Sequence, residues 1–83
     1  MRGHPRDVLI REMWSKDGLS EISVEYIDRG APGDIGSIQG ISISHIGRSF
    51  IELDSGGMIP FHRVMRISRE GRTIWERNVR IEP

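Results

Sequence analysis

The sequence predicts a single small α+β domain, in which one N-terminal helix packs on an antiparallel sheet of about five strands. Three observations lead to this fold: helical spacing of apolar residues near the N-terminus, several two-residue alternations after it, and glycine-containing turns between them. With 83 residues and no cysteine, the chain depends on one compact apolar core for its stability. We therefore treat residues 1–83 as one domain.

The first predicted element is a helix over residues 5–15. Leu9, Met13 and Trp14 fall within one arc of such a helix, and Pro5 is tolerated in its first turn. We expect these three side chains to pack on the sheet. Replacing the tryptophan, Trp14→Ala, should then cost about 3–5 kcal/mol of stability.

Alternation of polar and apolar residues predicts three strands in the middle of the chain, over residues 21–26, 39–44 and 48–53. Residues 29–34 contain turn formers too densely for a regular element, so they form a loop between the first two strands. Each strand has one apolar face directed towards the core.

The C-terminal part is predicted to contain two hairpins. Residues 54–57 form the first turn, and the strand after it runs into Pro60, where the alternation breaks and a bend or a single 3₁₀ turn is expected. A strand resumes at residues 65–67, residues 70–71 form the second turn, and residues 72–77 form the last strand. Short strands joined by tight turns can also roll into a small partly open barrel.

The charge balance limits the kinds of partner. Twelve basic and twelve acidic residues give a formal net charge of zero, which disfavours non-specific binding to a long polyanion. Lys16 is the only lysine, so eleven of the twelve basic residues are arginine, the side chain that binds phosphate or carboxylate with two parallel N–H groups. A coding bias towards arginine would give the same composition.

Several classes of chemistry lack their sequence signals. The chain has no Gly-x-Ser-x-Gly motif, no His-x-x-x-His spacing, no Asp-rich loop, and no His-x-Thr or His-x-Ser pair. We therefore expect no catalytic residue, no metal and no cofactor. The absence of a hydrophobic leader or membrane-length apolar run predicts a soluble, cytoplasmic protein with no membrane partner.

The residues that remain as binding candidates are histidines and arginines next to breaks in the pattern. His62 and Arg63 lie where the alternation stops, and together they can offer convergent donors to one phosphate. His4 and Arg6 lie at the start of the helix, where the dipole favours an anion. Arg29 lies at the mouth of the loop.

Each candidate also has a purely structural interpretation. His62 can cap a turn, Arg63 can pair with a carboxylate, Arg29 can pair with Asp28 or Asp34, and His4 can belong to a frayed terminus.

Five segments taken together resemble a small, mostly archaeal family, the RNA cyclic-group-end recognition domain. They are His4-Pro5-Arg6-Asp7-Val8-Leu9, Met13-Trp14, Tyr26-Ile27-Asp28-Arg29-Gly30-Ala31-Pro32-Gly33-Asp34, Ile59-Pro60-Phe61-His62-Arg63-Val64 and Ile74-Trp75. The resemblance implies a module that recognises RNA ends carrying a 2′,3′-cyclic phosphate and that works beside RNA-processing enzymes. Its polar motif positions correspond to His4, Arg6, Arg29, His62 and Arg63. Ile10 departs from the family pattern, in which asparagine is expected there.

Two other functions remain open from the residues. A phosphodiesterase would use His4 and His62 as acid and base. A protein-interaction module would use an exposed strand edge together with Arg48 and Phe50, which the alternation places on the outer face.

Overall fold

The computed structural model describes residues 3–77, which form one α-helix, seven strands and three 3₁₀ turns. The helix and strands are α1 (Pro5–Met13), β1 (Ile22–Ile27), β2 (Ile35–Gln39), β3 (Ile43–Ile46), β4 (Phe50–Leu53), β5 (Met58–Pro60), β6 (Val64–Arg69) and β7 (Arg72–Glu76). The 3₁₀ turns are Pro32–Asp34, Gly40–Ser42 and Phe61–Arg63. No helix in this part of the chain has the length and apolar character needed to cross a membrane.

The strands form two antiparallel sheets, with the orders β2-β1-β6-β7 and β3-β4-β5. The α+β class with one helix is therefore confirmed. The single sheet of about five strands is wrong, and so is the partly open barrel, because the sheets do not close.

The division into two sheets starts at Gly40, inside the strand that was predicted over residues 39–44. A side chain at this position would overlap the backbone carbonyl of Leu19 and lie 2.9 Å from the Cβ of Ile22. The chain turns there through Gly40–Ser42 and leaves the first sheet before β3 begins. Ile41 lies on the apolar face of the strand predicted over residues 39–44, yet it is 70% exposed as a result of this turn.

One apolar cluster holds the helix and both sheets together. Its buried members come from α1, from strands of each sheet and from the turn at residue 61: Val8, Leu9, Ile22, Val24, Ile46, Ile51, Ile59, Phe61, Val64, Ile67 and Trp75. Of the three helix residues predicted to pack on the sheet, Leu9 is buried in this cluster as expected.

The expected burial of Trp14 and Met13 is wrong. Trp14 is 80% exposed and Met13 is 41% exposed, because α1 ends at Met13 and its buried stripe consists of Pro5, Val8 and Leu9. The buried tryptophan is Trp75 on β7, whose indole N–H donates a hydrogen bond of 2.7 Å to the carbonyl of Gly3. This bond joins the start of the described chain to its end.

The predicted turns are confirmed. Gly56 has a φ of 98° in the turn between β4 and β5, and Glu70 and Gly71 have φ values of 53° and 81° between β6 and β7. The interruption expected after Pro60 is the 3₁₀ turn Phe61–Arg63, after which β6 resumes.

Candidate functional site

The 3₁₀ turn Phe61–Arg63 presents two of the predicted binding residues, His62 and Arg63, on the surface. Phe61 anchors the turn, since its side chain is 3% exposed and its N–H donates to the carbonyl of Ser49 at 3.1 Å. An aromatic ring fixed in the core thus precedes two exposed polar side chains. The anchored turn therefore holds the backbone of His62 and Arg63 in place while their side chains remain available to a ligand.

Arg77 holds the same turn from the C-terminal side. Its Nε donates to the carbonyl of Val64 at 2.9 Å and its Nη2 donates to the carbonyl of Phe61 at 2.9 Å. Its guanidinium lies 5.4 Å from the centre of the Trp75 ring, within cation–π range. Arg77 was not singled out in the sequence, where nothing marks an arginine that bonds to a turn through its side chain.

His4 caps α1 and packs against the turn. Its Nδ1 accepts a hydrogen bond of 3.1 Å from the backbone N–H of Arg6, and its ring meets the ring of Phe61 edge-on at 5.6 Å. His4 therefore contacts the residue directly before His62. The structure brings the start of the helix and the 3₁₀ turn together, which the sequence could not establish.

Arg6 ties the helix start to a third segment. Its Nε donates to the carbonyl of Gly47 at 2.7 Å, and Gly47 in turn donates its N–H to the carbonyl of Phe50 at 2.9 Å. At least part of this guanidinium thus has a structural role, positioning the loop before β4 against α1.

Arg63 borders a cleft of about 240 Å³. The cleft lies between the end of β1 and the hairpin of β4 and β5. Residues at the end of β1, in the hairpin and in the 3₁₀ turn line it, among them Tyr26, Asp28, Leu53, Gly57, Met58 and Arg63. It combines an aromatic ring, apolar side chains, a carboxylate and a guanidinium. No pattern in the sequence marks this cleft, because the residues of its walls are far apart along the chain.

Arg29 follows Asp28 and begins the predicted loop, where it is exposed. Asp34 shapes this loop: its carbonyl accepts from the N–H of Asp28 at 2.8 Å and its Oδ1 accepts from the N–H of Gly30 at 3.4 Å. The positive φ angles of Gly30, Gly33 and Asp34 allow the tight path. Arg29 directly follows Asp28, which lines the same cleft as Arg63, but Arg29 is not itself among the lining residues.

Ion pairing separates the arginines into two groups. Within residues 3–77 the four ion pairs involve Arg11, Arg66 and Arg69. Neither Arg29 nor Arg63 takes part in an ion pair with the described residues, so the alternative pairings to Asp28, Asp34 or another carboxylate are not formed. Both side chains are exposed, Arg63 on the 3₁₀ turn beside the cleft and Arg29 at the start of the loop.

The predicted residues therefore fall into two adjoining sets. His4 and Arg6 lie at the start of α1, where His4 contacts Phe61. Arg63 lines the cleft and His62 lies beside it in the 3₁₀ turn, while Arg29 is exposed in the loop that follows Asp28. Among the described residues, no group of three or more His, Asp or Glu side chains is placed to hold a metal ion.

Fold and site together define a small α+β domain with arginine and histidine exposed at one turn beside a cleft. The chain belongs to the family described as the MJ1316 RNA cyclic group end recognition domain, whose sequence model matches residues 1–77. The family resemblance seen in the motifs is thereby confirmed.

Relatives of similar length are proteins named only UPF0248. One from Methanopyrus kandleri is 42% identical over 64 residues, covering 77% of this chain and 85% of the relative. Others come from Metallosphaera sedula, 35% identical over 87% of this chain and 90% of the relative, and from Archaeoglobus fulgidus, 38% identical over 71% and 83%. No solved structure matches the chain.

Proposed function

We propose that this domain binds the phosphate-bearing end of an RNA strand, with a 2′,3′-cyclic phosphate as the preferred group, and that it does so without catalysis. The observation that carries the proposal is the position of Arg63, exposed on an anchored turn at the edge of a cleft and without an ion-pair partner among residues 3–77. The name of the family supports the same ligand.

Arginine suits this ligand because its planar guanidinium donates two parallel N–H groups to phosphate oxygens. His62 adds a donor from the same turn, and Arg29 adds positive charge from the loop that follows Asp28. His4 and Arg6 support the turn and the loop beside it, and the N–H groups of Arg6 other than Nε are available to the ligand. A terminus needs only a few such contacts, which a domain of zero net charge can supply.

The wider setting follows from this ligand. A module that binds cleaved RNA ends would act in the cytoplasm beside RNA repair or end-processing enzymes. In this proposal residues 1–83 act as one domain. The alternative of an interaction module based on Phe50 is less favoured, because Phe50 is half-buried within β4.

The proposal is tested in a binding assay with a short RNA that carries a 2′,3′-cyclic phosphate end. The wild-type, Arg63→Lys and Arg63→Ala proteins are each titrated into this RNA. Since a hydrogen bond to a charged group contributes about 1.5–3 kcal/mol, both changes should weaken binding roughly ten- to a hundredfold. Arg72→Lys is the matched control, because Arg72 is exposed on β7 and lies outside the turn and cleft. Unchanged affinity in both Arg63 variants would remove Arg63 from the site.

The absence of catalysis has its own test. The same RNA is incubated with the protein for hours and its terminus is examined by mass spectrometry. A cyclic phosphate that remains intact supports a binding module. Conversion to a phosphomonoester by the wild type but not by His62→Ala would instead establish a phosphodiesterase.

A further inference from the structure

We propose that the cleft beside Arg63 binds the nucleobase of the terminal nucleotide, with the carboxylate of Asp28 accepting a hydrogen bond from it. This inference rests on the proposed function, because the phosphate held by Arg63 determines which group reaches the cleft. It assigns the cleft a ligand: the base of the last residue of the RNA.

The size and composition of the cleft fit one base. Its volume of about 240 Å³ is below the roughly 300–1,000 Å³ of pockets that enclose a whole drug-sized ligand. Tyr26 provides an aromatic ring and Leu53 and Met58 provide apolar surface, the combination on which unstacked RNA bases pack.

The Tyr26 ring lies against its neighbour across the sheet. Tyr26 pairs with Gly36 of β2, and a Cβ at Gly36 would lie 2.6 Å from Cζ of the tyrosine. The ring therefore occupies the space that a side chain at Gly36 would fill, and the glycine leaves room for it beside the cleft.

The carboxylate limits what can enter. A carboxylate only accepts hydrogen bonds, so its partner in the cleft has to be a donor, and a phosphate oxygen is excluded by like charge. In a terminal nucleotide with a 2′,3′-cyclic phosphate, the 2′ and 3′ oxygens both belong to the cyclic phosphate, and the 5′ oxygen is esterified to the preceding phosphate. None of these oxygens carries a hydrogen to donate. The N–H groups of the base are then the remaining donors of that nucleoside, and in our proposal the Asp28 carboxylate accepts from one of them.

Arg63 and Asp28 thus divide the ligand between them. The guanidinium binds the anionic phosphate and the carboxylate binds the donor edge of the base, and both residues border the same cleft. An RNA end that has a phosphate but no terminal base should keep the contact to Arg63 and lose the contact to Asp28.

Gly57 allows the cleft to be blocked selectively. A Cβ there would lie 3.4 Å from Cδ1 of Leu53 and 3.9 Å from Oγ of Ser55, both ordinary contacts, and Gly57 is not among the glycines with positive φ. Gly57→Leu should therefore fill the cleft without straining the backbone, and Gly57→Ala is its matched control.

The experiment measures the affinity of three RNAs of the same sequence: one with a 2′,3′-cyclic phosphate end, one whose terminal nucleotide is a 1′-deoxy abasic ribose with the same cyclic phosphate, and one with a 3′-hydroxyl end. Wild type should bind the abasic end about tenfold more weakly than the intact phosphorylated end. Gly57→Leu and Asp28→Asn should weaken binding of the intact end by a similar factor and leave binding of the abasic end unchanged, while Gly57→Ala should behave as wild type.

Two failures can be told apart. If wild type discriminates phosphate from hydroxyl but binds abasic and intact ends equally, the base pocket is wrong and the proposed phosphate recognition stands. If phosphate and hydroxyl ends bind equally, the proposed function fails and the pocket assignment fails with it. Circular dichroism of each variant checks that the fold is retained.

Discussion

Arg77 provides a quantitative test of how the binding turn is held. Its guanidinium donates to the carbonyls of Val64 and Phe61, both at 2.9 Å, so one side chain bonds to the backbone on both sides of His62 and Arg63. Phe61 and Val64 are core residues with 3% and 0% exposure. Removal of the guanidinium would leave these carbonyls with fewer donors in a region that water reaches poorly.

The expected cost follows from these two bonds. Each hydrogen bond from a charged donor is worth about 1.5–3 kcal/mol, so Arg77→Ala should lower the free energy of unfolding by about 3–6 kcal/mol. Arg77→Lys can keep one donor but not the fork, and should lose about 1.5–3 kcal/mol. Small domains have about 5–15 kcal/mol in total, so the lysine variant remains folded and is the one to use.

The assay is urea denaturation followed by circular dichroism, with Arg72→Lys as the control on the same strand. Arg72 is exposed and forms no ion pair with the described residues, so its substitution should change stability by less than about 0.5 kcal/mol. Equal stability of the Arg77→Lys and Arg72→Lys proteins would refute the role given to Arg77.

Three further predictions concern the core, the surface and the ligand. Gly40→Ala should destabilise the protein by about 1–3 kcal/mol or more in thermal unfolding, because its Cβ would overlap the carbonyl of Leu19, and a neutral effect would contradict the close approach. Trp14→Ala should change stability by less than about 0.5 kcal/mol, since Trp14 is 80% exposed. The logarithm of RNA affinity should fall with the logarithm of salt concentration with a slope near 0.7 per phosphate contact, so a total slope of about 2 fits an end and a slope above about 5 would indicate extended backbone binding.

The parts of the fold that the sequence predicted depend on local chemistry. The helix start at Pro5, the alternation of β1, the turn at Gly56 and the hairpin at Gly71 are each determined by residues close in the chain. The 3₁₀ turn after Pro60 was predicted for the same reason, since the alternation visibly stops there.

The parts that were missed depend on distant contacts. Gly40 breaks the predicted strand because Leu19 and Ile22 occupy the space beside it. Trp14 and Trp75 are equally apolar, and only the packing of β7 against the N-terminal segment decides which one is buried.

The candidate site shows the same division. Histidines and arginines at breaks in the pattern could be named from the sequence, and the resemblance to the family connected them. Their surroundings could not be predicted: the packing of His4 on Phe61, the fork of Arg77, and a cleft that joins Asp28 to Arg63 across 35 positions of the chain, from 28 to 63. Such contacts follow from the tertiary fold alone.

The central claim, that the domain recognises the phosphate group at an RNA end, is tested most directly by comparing three ends of one oligonucleotide in a single competition assay. The competitors carry a 2′,3′-cyclic phosphate, a 3′-phosphate or a 3′-hydroxyl, and share every other atom. We predict the tightest binding for the cyclic phosphate and binding roughly ten- to a hundredfold weaker for the hydroxyl, the difference expected when charged hydrogen bonds to phosphate are lost. Equal competition by all three ends would contradict the claim.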